Sequence, residues 1–446
     1  MSRRVVISGL GAVTGFGYGV GPFWEAMVAG RSCIGPISLF DASAFPSRFA
    51  GEARGFSVKE YVPKSYRKAI KVMARDIELA VGAARAAVED AGIITKALLG
   101  DGADSTPAGA AAVTYAPERV GCQIGAGLIA AEVPELAMAL STATEPGDPA
   151  RFSYERWGAG GMDNLTPLWL LKYLPNMLAC HVTILHDAQG PSNTITCSEA
   201  SGLLSIGEST RVIMRGDADL CFSGGAESKI NPMGMTRLDF ARRLAHHAAD
   251  AAPTSIIRPY DDQAPGSLVG EGGGIVMLEE ADACLRRSGR AYAEVIGFGA
   301  GHSPLLGSAI ERSEGLRAAI ENALDDAELR PDAIDAIVPH ASGARDPDAE
   351  EAAALRAVFG DRLRSIPLIT LTPNIGETMA GAGGLAAGLG ALAVKHQMTP
   401  ARLHPGRAPN DLDAGPSPAR DATLRNVLVC TNALGGQNAA LVLRAI

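Results

Sequence analysis

The sequence predicts a layered α/β fold made of two similar halves. Three observations predict it. Glycine supplies 52 of the 446 residues while aromatic residues make up only 5%, a bias that suits tight strand-to-helix turns and close helix packing. Short apolar runs that end in glycine or histidine alternate with segments of helical spacing. Two pairs of segments also recur: VVISGLGA at 5–12 resembles AEVIGFGA at 293–300, and LCFSGGAE at 220–227 resembles VCTNALGGQ at 429–437. The first pair opens each half and the second closes it, with the extra length inserted in the first half.

In chain order, RVVISG at 3–8 reads as a buried strand. GLGAVTG at 9–15 reads as a tight strand exit, not a dinucleotide fingerprint. Its spacing is Gly-x-Gly-x-x-x-Gly, and no clear acidic residue closes a second strand about 20 positions on. Residues 66–91 read as a helix, with Ile70, Met73, Ile77, Ala80, Val81, Ala84 and Val88 at helical spacing and Gly92 as its stop. Residues 101–114, 141–164, 246–258 and 402–423 read as irregular insertions. Trp169, Tyr173 and Met177 fall at i, i+4 and i+8, which would put them on one helix face.

The segment GPSNTITCSEASGLLSIGES at 190–209 carries the sharpest chemistry. Asn193–Thr196 read as a strand and Ala200–Ser209 as a buried helix, so Cys197, Ser198 and Glu199 occupy the turn at the helix N-terminus. That end of the dipole favours anions and would lower a cysteine's pKa. The alternative for Cys197 is a small buried core residue. His340 ends the run AIDAIVPH, at the C-terminal end of a strand, where open α/β folds place their sites.

The net charge is −9, which argues against a partner bound through phosphate neutralisation, so no nucleic acid is expected. Seven scattered cysteines without a Cys-x-x-Cys pair argue against a disulfide framework or a zinc knuckle. The N-terminal apolar run is too short and too broken by glycine for a signal peptide or a membrane span. We therefore expect a cytoplasmic protein with no metal, no cofactor and no membrane span.

RRVVISGLGAVTGFG, FDASAF, FAGEARGF, RPYDD, GEGGGIVMLEEAD, YAEVIGFG and TNALGGQNAALVL follow one another along the chain. This series resembles the β-ketoacyl-acyl-carrier-protein synthases of the type II group. The resemblance implies the thiolase-like fold, with two pseudo-repeated halves, 1–275 and 276–446, stacked in α-β-α-β-α layers, and a dimer. It also implies four catalytic side chains: a cysteine, two histidines and a lysine. With GPS at 190–192 and SG at 201–202 as anchors, the cysteine position falls on Glu199. The first histidine falls on His340, followed by the acidic Asp348 and Glu350. In TPNIGETMAGAGG, Pro373 takes the lysine position and Thr378 the second histidine position.

Three of the four catalytic side chains are thus replaced, and whether the chain is an enzyme stays open at this point. An acyl-glutamate would be an anhydride, readily cleaved by water. The pattern resembles the chain-length factor, the ketosynthase β-subunit of type II polyketide synthases. That resemblance implies an acyl carrier protein as partner, with an active ketosynthase as the other half of a heterodimer, or a homodimer. It makes Trp169, Tyr173 and Met177 candidates to line or plug an acyl tunnel. The alternative is an active β-ketoacyl-carrier-protein synthase, or a malonyl-carrier-protein decarboxylase, with a rearranged site using Cys197, Glu199 and His340.

Overall fold

All ten residues of β1 (Val5–Thr14) are buried, as befits a strand with protein on both faces. The structure, a computed structural model, describes residues 3–99, 112–248 and 250–446. Eight further strands span the main sheet: β2 (Val120–Gly125), β3 (Ser192–Ile195), β4 (Leu220–Ser228), β5 (Glu271–Glu280), β6 (Ala293–His302), β7 (Ala336–Val338), β8 (Asn426–Asn432) and β9 (Gln437–Arg444), and the two-residue strand Gly17–Tyr18 pairs with the end of β1. Their spatial order is β7-β8-β9-β6-β1-β5-β4-β2-β3. The two halves meet at a short antiparallel seam in which Val5, Val6 and Ile7 pair with Val295, Glu294 and Ala293. β1 and β6, which carry the first sequence repeat, flank that seam. β4 and β8, which carry the second, each stand third outward from it.

Six helices fill the layers: α1 (Arg75–Ala91), α2 (Met177–His186), α3 (Ser201–Met214), α4 (Ala309–Asp326), α5 (Arg345–Phe359) and α6 (Ala382–His396). Strand periodicity sorts side chains between them. Ile275 and Met277 of β5 face an outer core with Ile77 and Val88 of α1 and Leu178 and Val182 of α2. Val276 and Leu278 face the opposite way, into a central core with Leu203 and Ile206 of α3 and Leu385 and Leu389 of α6. Val429 of β8 and Leu441 of β9 enter that central core from the other half. Leu428 and Val442 join a third core with Leu316 of α4 and Leu355 of α5. The result is the expected five-layer α-β-α-β-α stack. The central helices are fully enclosed: Leu203, Ile206 and Leu389 are 0% exposed, each contributing roughly 1.5–3 kcal/mol of burial.

Close approach explains much of the glycine. A Cβ on Gly384 would lie 1.9 Å from the Gly274 carbonyl oxygen, and one on Gly225 would lie 2.1 Å from that of Ala380. α6 therefore rests directly on β5, with backbone against backbone.

Some expectations need correction. The α-helix begins at Arg75, not 66: Lys64–Val72 is a 3₁₀ segment, and extended Met73 and Ala74 separate the two. Its left-handed stop at Gly92 (φ 64°) is as expected. The glycines at 9 and 11 are not a strand exit, because β1 continues to Thr14. Residues 141–164 contain a small hairpin, Thr144–Glu145 with Asp148–Phe152. The loop expected at 101–114 lies outside the described residues except for 112–114. Residues 275 and 276, where the sequence reading divides the halves, are neighbours within β5.

Candidate active site

β3 ends just before the turn that carries Cys197 to Glu199. Ser198 takes a positive φ of 51° and Ser198–Ala200 form a 3₁₀ turn leading into α3. The Cys197 amide donates to Ser201 Oγ (2.8 Å), which donates to the Ser198 carbonyl (2.6 Å). Cys197 is half-buried, and burial pushes its thiol above the ordinary value. That reverses the expectation of a lowered pKa, since loss of hydration outweighs the helix terminus. No described hydrogen bond links Cys197 to His340.

Glu199 is 2% exposed. Its Oε2 accepts the Leu434 amide at 3.0 Å, in the turn between β8 and β9. The Glu199 carboxylate therefore bridges the turn at the start of α3 and the turn between β8 and β9.

His340 stands two residues beyond β7. Glu351 fixes its backbone, accepting the His340 amide (2.8 Å), the Ala341 amide (2.8 Å) and the Tyr260 hydroxyl (2.8 Å). Asp348 accepts Ser342 Oγ (2.8 Å) and the amides of Tyr260 (2.9 Å) and Gly343 (3.0 Å). Glu350, expected beside Asp348, instead pairs with Arg312 at 2.9 Å. One step along α5 puts Glu351, not Glu350, on the inward face.

Both ring nitrogens of His340 are engaged. Nδ1 lies 2.8 Å from the Asn432 carbonyl and Nε2 lies 2.6 Å from Glu377 Oε2. Burial alone would push this imidazole down, but the Glu377 carboxylate beside it more than offsets that, with Glu199 adding to it, and lifts it to about 10. Burial would raise Glu377, but His340 and the Met379 amide hold it below its usual range.

The segment leading into α6 places the other expected residues. Pro373 lies buried in a single helical turn, Thr372–Ile375, and its carbonyl accepts Ser32 Oγ at 3.0 Å. Thr378 is 1% exposed, but its predecessor Glu377 is the residue that reaches His340. Ala380 donates to Glu227 Oε2 (2.8 Å), and Glu227 pairs with buried Lys229. Sequence reasoning missed Glu377, Glu351 and Glu227.

A cavity of about 330 Å³ borders the turn between β8 and β9, lined among others by Arg243, Arg312, Asn432 and Leu434. A larger cavity of about 900 Å³ is lined by Tyr173 and Lys172, by Ile129 and by Arg75 and Asp76. Trp169 and Met177 are not among its lining residues. The shared helix face is also overturned: Trp169–Tyr173 is a 3₁₀ turn and α2 begins only at Met177, with Pro175 between. Glu135 ties this turn down, accepting Trp169 Nε1 (2.8 Å) and the Tyr173 hydroxyl (2.5 Å). Among the described residues there is no His, Cys, Asp or Glu group suited to a metal ion, and no helix is long and apolar enough to cross a membrane.

Two family models match: beta-ketoacyl synthase, N-terminal domain, over residues 2–283, and beta-ketoacyl synthase, C-terminal domain, over 292–405. The chain is 30% identical to 3-oxoacyl-[acyl-carrier-protein] synthase 2 of Coxiella burnetii, covering 100% of this chain and 99% of the relative. It is also 30% identical to the granaticin polyketide beta-ketoacyl synthase 1 of Streptomyces violaceoruber, covering 99% and 98%. The solved ishigamide ketosynthase/chain length factor superposes with a TM-score of 0.80 at 27% identity, covering 100% of both chains.

Proposed function

Because the chain belongs to the β-ketoacyl synthase family, we propose that it serves fatty acid or polyketide assembly as a non-condensing subunit of the chain-length-factor kind. One observation carries this reading: the chain's own carboxylates occupy the groups a condensation would need free. Glu199 takes the Leu434 amide, a donor placed where an oxyanion would form beside the nucleophile position. Glu377 takes His340 Nε2, the group that would face a reacting carbonyl or carboxylate. Two carboxylates around one imidazole also oppose entry of a malonyl carboxylate. Thr378 offers a hydroxyl but no positive charge, and Pro373 offers no side-chain donor. Cys197, with its raised thiol and no bond to His340, does not supply the missing nucleophile.

The subunit reading includes a partner of the same fold. β3 forms the free edge of the sheet. Leu128, Met138, Met162, Leu168 and Leu170 expose large apolar side chains from the segment that precedes it, a surface suited to burial against another subunit. We take that subunit to be an active ketosynthase loaded by acyl carrier protein. The seven free cysteines suit a reducing compartment such as the cytoplasm.

The test is intact-protein mass spectrometry of the purified chain after incubation with acyl- and malonyl-loaded carrier protein, with Cys197→Ala as control. We expect no acyl adduct and no decarboxylation of the malonyl carrier. A stable adduct that disappears in Cys197→Ala would overturn the reading and make the chain a rearranged synthase. Carbon dioxide release without an adduct would make it a decarboxylase.

A further inference from the structure

α6 runs from the candidate site to a separate cavity at its other end. Its first residue, Ala382, follows the Met379–Gly381 turn, while Val394 and Lys395 in its last turn line a cavity of about 580 Å³. The floor is apolar. Val6, Ala281, Cys284 and Ala291 pack as a small core cluster there, and Leu424 and Val394 adjoin them. Leu285 lines the same cavity while 70% exposed, an uncovered large side chain at the edge of an apolar hollow.

Basic side chains outnumber acidic ones in the lining of this cavity. Arg4, Lys395 and Arg425 line it, and no acidic side chain does, on a chain whose net charge is −9. Arg4 shares the single carboxylate of Glu294 with Arg444, at 2.7 and 3.0 Å, so that cluster keeps a positive excess. Among the described residues Lys395 Nζ donates only to the Ala291 carbonyl, at 3.3 Å. The Arg425 guanidinium has no hydrogen bond or ion pair among the described residues.

We propose that this cavity binds an aliphatic carboxylic acid, with its chain on the Val6–Cys284–Leu424 floor and its carboxylate between Arg425 and Lys395. Each feature selects against another ligand class. A cation is disfavoured by Lys395 and Arg425, neither of which has an acidic partner among the described residues. A small hydrophilic anion leaves the apolar floor and Leu285 uncovered. A neutral hydrocarbon leaves the unpaired guanidinium without its charge-assisted partner. The inference stands apart from the subunit reading, since it uses no residue of the candidate active site.

The test is calorimetric titration of the full chain with dodecanoate below its micelle concentration. Dodecyltrimethylammonium and acetate serve as the matched cationic and short-chain probes. The expected result is saturable one-to-one binding of dodecanoate and none of either control. Arg425→Glu and Lys395→Glu, both at exposed positions, should each weaken dodecanoate at least tenfold without lowering the melting temperature. Tyr173→Ala, in the larger cavity, should leave the affinity unchanged. Equal binding of the ammonium probe overturns the proposal. So does a charge-reversed variant that binds normally, or loss of binding in Tyr173→Ala, which would move the acid to the other cavity.

Discussion

His340 Nε2 lies 2.6 Å from Glu377 Oε2, with both side chains shielded from solvent. The pair does two things at once. It holds the imidazole charged, and it occupies Nε2, the nitrogen that the proposed function sets against a substrate. A buried ion pair of this kind stabilises little beyond its own desolvation, yet removing one partner strands the other. Its presence is therefore better read as a statement about chemistry than about stability.

Replacing Glu377 should move the His340 titration. The folded imidazole sits raised from 6.5 to about 10, so its contribution to stability is full below the ordinary value and is lost as pH rises toward 10. Glu377→Gln should return the imidazole toward or below 6.5 and flatten that loss. Histidine NMR titration and thermal melting between pH 6.5 and 10 check the two halves of this expectation. Glu377→Ala should cost about 3–5 kcal/mol at neutral pH. An unchanged imidazole titration in Glu377→Gln would show that the pair does not set the proton.

Restoring a thiol at position 199 should not restore the reaction. Glu199→Cys frees the Leu434 amide and places a nucleophile at the start of α3, so an acyl adduct should form on it. Decarboxylation of malonyl-carrier protein should still be absent, because His340 Nε2 stays on Glu377. Losing one such stabilising donor costs about 10²–10³ in rate. Mass spectrometry for the adduct and carbon dioxide release for the second step separate the two effects. Condensation by the single variant would refute the view that Glu377 blocks His340.

The layered fold was legible because the period of the strands and the two glycine-containing repeats are properties of the chain itself. Ile275 and Val276 go to different cores simply because they are adjacent in a strand. The site was legible only up to register. Aligning GAGG puts the second histidine position on Thr378. The 3₁₀ turn that follows, with Met379 at φ 50°, leaves the preceding Glu377 to face His340, and nothing in spacing alone foretells that. Glu351 was missed for a similar reason, since the phase of α5 depends on where the helix starts. The early helix start at 66 failed because a 3₁₀ segment can carry apolar residues at nearly the same spacing as an α-helix.

Asp76 gives a second pH dependence, opposite in origin. It is 3% exposed and its carboxyl is pushed up to about 7 by burial, with Lys229 opposing and Glu227 adding to the rise. A raised folded value means that its contribution is present below about 3.8 and declines as pH rises through 7. Asp76→Asn should therefore gain stability relative to the wild type as pH goes from 4 to 8. Denaturant midpoints across that range check it. A difference that is flat with pH would show that Asp76 titrates normally.

The close contact of α6 with the sheet should make Gly384 intolerant of even one added carbon. A Cβ there would meet the Gly274 oxygen at 1.9 Å and the Gly274 carbonyl carbon at 2.7 Å. Neither is the end of a flexible side chain, so relief requires shifting α6 or β5. Gly384 is helical, so alanine would raise local helix propensity by roughly 1 kcal/mol. The steric term opposes this, and overpacking of a buried contact costs about 1–3 kcal/mol or more. Gly384→Ala should thus be destabilising overall despite the better helix former. The displacement would also reach the Thr378–Gly381 turn at the start of α6, and with it Glu377. The expected signature is a lowered denaturant midpoint together with a shifted His340 titration. At Gly388, whose nearest neighbour is the Leu10 side chain at 3.7 Å, alanine should be neutral or stabilising, and it serves as the control.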